Sequence, residues 1–262
     1  MEPTYQSLRV ERRGAVLGAV LDRPQRQNAI NDALLADLHA VLDRAERDPE
    51  VRVVALSATG PVFCSGMDFA DASRTDQTPD DIAERGGALF FGLLERFTTV
   101  PRVVVSIVDG RVTGGGVGLV AASDLVYATE HSSFGLPEAL WGLLPCCVLP
   151  FLIRRVGFQP AYAMTLSTLP VSGRHAERIC LVDEVVADPA APLRLLTSRL
   201  TKLDPTTIGD AKRYAGQLGP PLKELGHTAT AEFSRLMSAP AVQRRIANFA
   251  SRQQLPWESD AS

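Results

Sequence analysis

"RVTGGGVGLVAASD", residues 111–124, is the stretch on which the reading of this chain turns. Gly114, Gly115 and Gly116 stand in a row, Gly118 follows, and an apolar run closes on Asp124. Glycine at this density marks a place where another group comes so close to the backbone that side chains are excluded. Three occupants are open. A dinucleotide is one: Gly116-x-Gly118-x-x-Ala121 formally fits the phosphate-binding pattern, and Glu130 ends the next strand. Against it, the first glycine does not leave the preceding strand directly. Only about six residues separate Gly118 from the strand at Leu125, whereas a parallel crossover takes roughly a dozen. A second occupant is simply a neighbouring strand. The third is an acyl oxygen, because glycines entering a helix expose unpaired N–H groups at its positive end.

Moving outward, RVVVSIV (102–108) reads as a strand buried on both faces, and LVYAT (125–129) as another. FCSGMDF (63–69) is a glycine-centred loop after a strand at 51–57, able to aim a second N–H inward. Two short strands at 8–12 and 15–21 flank Arg13-Gly14. Asn31 is placed to cap a helix to Arg47, with Leu34, Leu38, Val41, Leu42 and Ala45 on one face. A mobile polar stretch is expected at 71–81, and a helix at 82–97. HSSFGLPEALWG (131–142) reads as a loop in which Pro137 opens a helical turn. Helices are expected at 147–156 and 159–168, and a last strand at 182–186. Residues 190–250 read as helical, broken at Asp204-Pro205, Gly219-Pro220-Pro221 and Ala239-Pro240, before a tail, LPWESDAS. This gives an α/β core over residues 1–190 and a helical C-terminal region over 191–262.

With 262 residues, 45% hydrophobic and 22% charged, the composition is that of an ordinary globular protein. A net charge of −3 points to neither nucleic acid nor a membrane surface as a partner. LLPCCVLPFLI (143–153) is too short to span a bilayer and is interrupted by prolines. Cysteines 64, 146, 147 and 180 lack C-x-x-C spacing and the four histidines lack H-x-x-x-H spacing. No metal ligand set or disulfide framework emerges, and a cytoplasmic location is expected.

VFCSGMDF followed by GGGVGLVAASDLVYATEHSSFGLPEALWGLLP, with RPQRQNAIN near the start, resembles the signature of the crotonase (enoyl-CoA hydratase/isomerase) superfamily, over about residues 8–187. The resemblance implies a spiral of ββα units with C-terminal helices that build trimers, often paired into hexamers. It implies acyl thioester substrates on a pantetheine arm, with the backbone N–H groups of Met67 and Gly115 as the two donors of an oxyanion hole. No cofactor is implied beyond the phosphopantetheine, or CoA, that carries the substrate. PCCVLPFLIRRVG (145–157), with INDALL, FCSGMDF and AYAMTL, is similar to the dehydratases of polyketide β-branching cassettes. Those enzymes take water from a 3-hydroxy-3-methylglutaryl group on an acyl carrier protein to give the 3-methylglutaconyl thioester.

Hydratases of this superfamily carry two glutamates. The first position is Gly118 here, so one carboxylate is missing; the second, in F-G-x-P-E, is matched by Glu138. Glu138 sits in a first helical turn, where a carboxylate also suits the helix dipole. Buried among Leu136, Pro137, Leu140 and Trp141, it would have a raised pKa and could exchange protons near neutrality. Asp68 is the other acid candidate, with a loop-stabilising role as its alternative. Cys64, Ser65, Gly66, Gly114, Gly116, Gly118, Cys146 and Cys147 are expected around the acyl group, the vicinal cysteines shaping the pocket or packing beneath it. Arg74, Arg85 and Arg111 are candidates for a substrate carboxylate. Arg23, Arg26, Arg154 and Arg155 are candidates for a basic mouth facing an acidic carrier. Beside dehydration stand double-bond isomerisation, decarboxylation, thioester binding without turnover, and nicotinamide chemistry.

Overall fold

The computed structural model describes residues 4–68, 79–188, 190–252 and 254–256. Strands β1 (Leu8–Arg13) and β2 (Val16–Leu21) form an antiparallel hairpin whose turn residue Gly14 has φ +58°. In β2, Leu17, Ala19 and Leu21 are buried in strict alternation, as one covered sheet face requires. Helix α1 (Asp32–Arg47) begins where Asn31 accepts the Leu34 N–H at 3.0 Å, and its buried stripe includes Leu34, Leu38, Val41, Leu42 and Ala45.

The chain then delivers strands in pairs: β3 (Val53–Ala58) with β4 (Val62–Cys64), β5 (Val103–Val108) with β6 (Arg111–Thr113), and β7 (Leu125–Ala128) with β8 (Ser133–Gly135). The first of each pair joins one sheet and the second joins another. With β9 (Val171–Ser172) and β10 (Glu184–Val185), the sheets have orders β1-β2-β3-β5-β7-β10 and β4-β6-β8-β9. Helices α2 (Pro79–Thr99) and α3 (Gly115–Ala122) complete successive units, so the core is a spiral of ββα turns. The triple glycine therefore leaves β6, in the smaller sheet, and not β5. The expected polar stretch at 71–78 lies outside the described residues, as do 257–262 of the tail; residues 79–81 are already helical.

The smaller sheet was not anticipated from sequence. Its strands are two or three residues long, too short for alternation to register. What pins them is burial: Phe63 in β4, Val112 in β6 and Phe134 in β8 are fully enclosed.

Beyond the spiral come α4 (Leu149–Val156), α5 (Phe158–Ser167), α6 (Gly173–Arg178), α7 (Ala190–Leu200), α8 (Pro205–Leu218), α9 (Leu222–Met237) and α10 (Pro240–Arg252). The breaks fall where the prolines predict them, and Asp204 caps α8 by accepting the Thr206 N–H at 2.7 Å. Helix α9 lies hard against α2. A Cβ on Gly226 would come within 2.8 Å of the Phe91 ring, and one on Gly87 within 2.9 Å of Phe233. Asp124, which closes the glycine-led run, accepts the Val104 N–H at 2.7 Å and pairs with buried Lys212 at 2.6 Å. No helix among the described residues is long and apolar enough to cross a membrane.

Candidate active site

Two bends meet at the centre of the molecule. The first follows β4. Gly66, at φ +86°, accepts the Ile30 N–H through its carbonyl at 2.7 Å, and the Asp68 N–H donates to the Ile30 carbonyl at 2.9 Å. The intervening Met67 N–H is left out of this short ladder. The second bend follows β6. Gly114, at φ +56°, donates to the Gly135 carbonyl at 3.0 Å, and Gly115 opens α3, where a helix has no partner for its N–H. A Cβ on Gly66 would stand 3.2 Å from the Gly115 nitrogen and 3.2 Å from the Thr113 carbonyl oxygen, so the bends touch. Neither the Met67 nor the Gly115 N–H bonds to a described residue, and both residues line one cleft of about 540 Å³.

Glu138 enters the same cleft from a short 3-10 turn, Glu138–Trp141, that ends on Gly142 at φ +79°. Its Oε1 lies 3.3 Å from where a Gly114 side chain would begin. Its Oε2 is sealed from solvent and has no hydrogen-bond partner among the described residues. Burial pushes the carboxyl up from 4.5 to about 7, so both protonation states are populated at neutral pH.

Asp68 also borders the cleft, but its oxygens face Arg26 at 2.7 Å and Arg23 at 3.3 Å. This geometry suits the loop-stabilising alternative: Asp68 ties the bend that carries Met67 to the loop before α1. Asp68→Ala is expected to cost roughly 3 kcal/mol, the low end for breaking a buried pair because Arg26 is half-exposed. Urea unfolding checks the cost.

Of the expected lining, Ser65, Gly66, Gly114, Cys146 and Cys147 border the cleft. Cys64, Gly116 and Gly118 do not, which corrects the sequence reading. Cys64 is fully buried in β4, and Gly116 sits directly on it, a Cβ there falling 2.7 Å from the Cys64 carbonyl oxygen. Gly118 faces Leu94, Phe90 and Val148, each 3.1 Å from a Cβ. Successive residues of α3 point about 100° apart, so Gly115, Gly116 and Gly118 cannot all face the same space. The position of the missing glutamate is thus walled by hydrocarbon. Gly118→Glu is expected to destabilise the fold by several kcal/mol rather than add a second acid, read as a lowered melting temperature. Burial also raises the thiols, Cys146 to about 11 and Cys64 and Cys147 to about 12, so none is a ready thiolate.

Among the arginines, Arg85 borders the cleft. Arg111 is exposed and donates to Gln27 at 2.9 Å, and Arg74 lies outside the described residues. The expected basic mouth does not form from Arg154 and Arg155. Arg154 lines a separate groove, and Arg155 is engaged with the carbonyls of Ser123 and Leu181 and with Asp183. Sequence reasoning missed the remaining walls: Ile30, Phe90, Leu143 and Phe233. It also missed the support behind Glu138. Trp141 packs edge-on against Phe249 of α10, ring centres 5.1 Å apart, and Arg245 donates to the Trp141 carbonyl at 3.2 Å. Phe90 falls within the helix expected at 82–97, but nothing in the sequence marked it as a wall.

The sequence profile of the enoyl-CoA hydratase/isomerase family matches residues 11–260. The chain is 35% identical over 255 residues to the bacillaene synthase dehydratase PksH of Bacillus subtilis, covering 97% of this chain and 98% of that protein. It is 28% identical over 253 residues to the cyclohexa-1,5-dienecarbonyl-CoA hydratase of Thauera aromatica, covering 95% of each. A crystal structure described as a polyketide biosynthesis enoyl-CoA hydratase (pksH) from Bacillus subtilis superimposes with a TM-score of 0.87 at 34% identity, covering 97% of this chain and all of that one.

Proposed function

Because the chain belongs to the enoyl-CoA hydratase/isomerase family, as a hydro-lyase-type enzyme within it, we propose that it removes water from a 3-hydroxy-3-methylglutaryl-type thioester held on the phosphopantetheine of an acyl carrier protein. The product is the 3-methylglutaconyl thioester of a polyketide β-branching pathway. The observation that carries this reading is one unpartnered, buried carboxyl, Glu138, set against the bend that offers the unpaired Gly115 N–H. Similarity to the bacillaene synthase dehydratase supports the polyketide setting.

The thioester oxygen lies between the Met67 and Gly115 N–H groups. The Glu138 carboxylate takes a proton from C2, and the electron pair moves onto that oxygen as an enolate. The two N–H dipoles stabilise this charge, which the ground-state carbonyl carries only in part. The electrons then return, the C3–oxygen bond breaks, and the protonated Glu138 gives its proton to the departing hydroxyl. One water leaves and Glu138 ends as a carboxylate. A group with its pKa near 7 suits both halves, being a base in the first and an acid in the second. A single carboxyl makes the elimination syn.

Self-association into trimers, as the family resemblance implies, is part of this reading. Leu195, Tyr214 and Leu218, exposed on α7 and α8, support it. A cytoplasmic setting goes with it, and CoA is the alternative carrier.

The test is mass spectrometry of the intact acyl carrier protein loaded with the 3-hydroxy-3-methylglutaryl group. Loss of one water is expected. Loss of carbon dioxide from the unsaturated diacid would assign a decarboxylase instead. An unchanged mass would leave isomerisation or binding and overturn the proposal.

A further inference from the structure

We propose that Arg85 is a specificity-determining residue that pairs with a carboxylate at the far end of the acyl chain. The inference rests on the thioester reading above and deepens it.

The walls of the cleft are largely hydrocarbon, from Ile30, Phe90, Leu143, Val148 and Phe233. Three carboxyl groups border it. Asp68 is held by Arg23 and Arg26, Asp32 lies in the first turn of α1 where the helix dipole favours it, and Glu138 is the proton-transfer group. Arg85 is the one basic side chain among the described lining residues, and no described residue pairs with it. Arg85 is exposed, and a guanidinium at the edge of an apolar cleft with no described carboxylate already paired to it is placed to receive an anion.

Its placement fits the length of a short diacid. Arg85 lies on α2 five residues before Phe90, or ~7.5 Å along the helix. The Phe90 ring reaches the oxyanion end, 3.3 Å from where a Cβ on Gly115 would stand. Helix α2 thus runs from the thioester end of the cleft to the cation. Next to Arg85, Gly86 lines the same cleft, and a Cβ on it would meet no atom of a described residue within 4 Å. A carboxylate entering there meets a planar, permanently charged fork suited to two parallel hydrogen bonds. Uncharged acyl chains of equal length gain nothing from it.

The test compares glutaryl-phosphopantetheine with valeryl-phosphopantetheine, of equal chain length, by calorimetric titration of the wild type, Arg85→Gln and Arg85→Lys. The wild type is expected to prefer the glutaryl compound at least tenfold. Arg85→Gln loses that preference and leaves valeryl binding unchanged; Arg85→Lys keeps part of it. Equal weakening of both compounds would put Arg85 on the phosphate of the arm and overturn the proposal. So would unchanged glutaryl binding, or a wild type without preference. Neither compound carries a 3-hydroxyl group, so the result does not depend on turnover. A glutaryl preference without water loss in the carrier assay would retire the dehydratase reading and leave the carboxylate site standing. Water loss without the preference would do the reverse.

Discussion

In Glu138→Gln protein, turnover is expected to fall by 10³-fold or more, because the sole motif-matched proton carrier is gone. The same substitution should change how stability depends on pH. In the unfolded chain Glu138 loses its proton near 4.5; in the folded protein burial holds it until about 7. Between those values the native state binds a proton that the unfolded state has released, so the stability of the wild type declines as pH rises. The decline is complete above about 7, and the gap between the two pKa values corresponds to about 3 kcal/mol. Glutamine cannot titrate, so the variant gains about that much relative to the wild type between pH 5 and pH 8. Urea unfolding of both proteins at the two pH values measures it. A difference that stays constant with pH would mean that Glu138 is not the buried titrating group. In the wild type, kcat/KM should rise through pH 7 and level off, following the carboxylate form.

Gly66→Ala is expected to lower kcat by 10²–10³-fold with little change in KM, the loss that follows removal of one oxyanion donor. Two physical reasons converge. At φ +86° an alanine is strained, and its methyl carbon would press on the Gly115 nitrogen and the Thr113 carbonyl, both 3.2 Å away. Relief requires the bends to separate, which moves the Met67 and Gly115 N–H groups off a shared oxygen. Gly216→Ala is the control: it lies on α8, away from the cleft, with nothing within 4 Å of its Cβ. Steady-state kinetics of the two variants, with circular dichroism to verify folding, decides the matter. Equal activity of Gly66→Ala and the wild type would remove the paired-donor arrangement from the mechanism.

Much of this arrangement could be read from residue order. The capped helix after Asn31, the buried strand at 103–108 and the proline-broken C-terminal helices follow from local rules. Burial of Glu138 was conditional on its neighbours packing around it: Leu136 and Trp141 are buried beside it, whereas Leu140 points to solvent. The short strands of the smaller sheet escaped because pairing partners far along the chain create them, not local propensity. Gly116 and Gly118 were placed at the substrate because a sequence motif does not say which face of a helix each member occupies. Asp68 beside Arg23 and Arg26 shows the same limit: two carboxyl groups in equally suggestive loops acquire different duties, one neutralised by cations and the other stripped of water. Phe233 and Phe249 were invisible as parts of the site because they arrive from helices more than ninety residues beyond Glu138.

The anchoring of Trp141 by Arg245 and Phe249 bears on how the proton carrier keeps its place. The spiral supplies both bends and the acid, but the brace beneath the acid comes from α10, more than a hundred residues further along the chain. Loosening that helix would tilt the turn that carries Glu138 while leaving both amide donors where they are, so a remote lesion there would cost turnover before it costs binding.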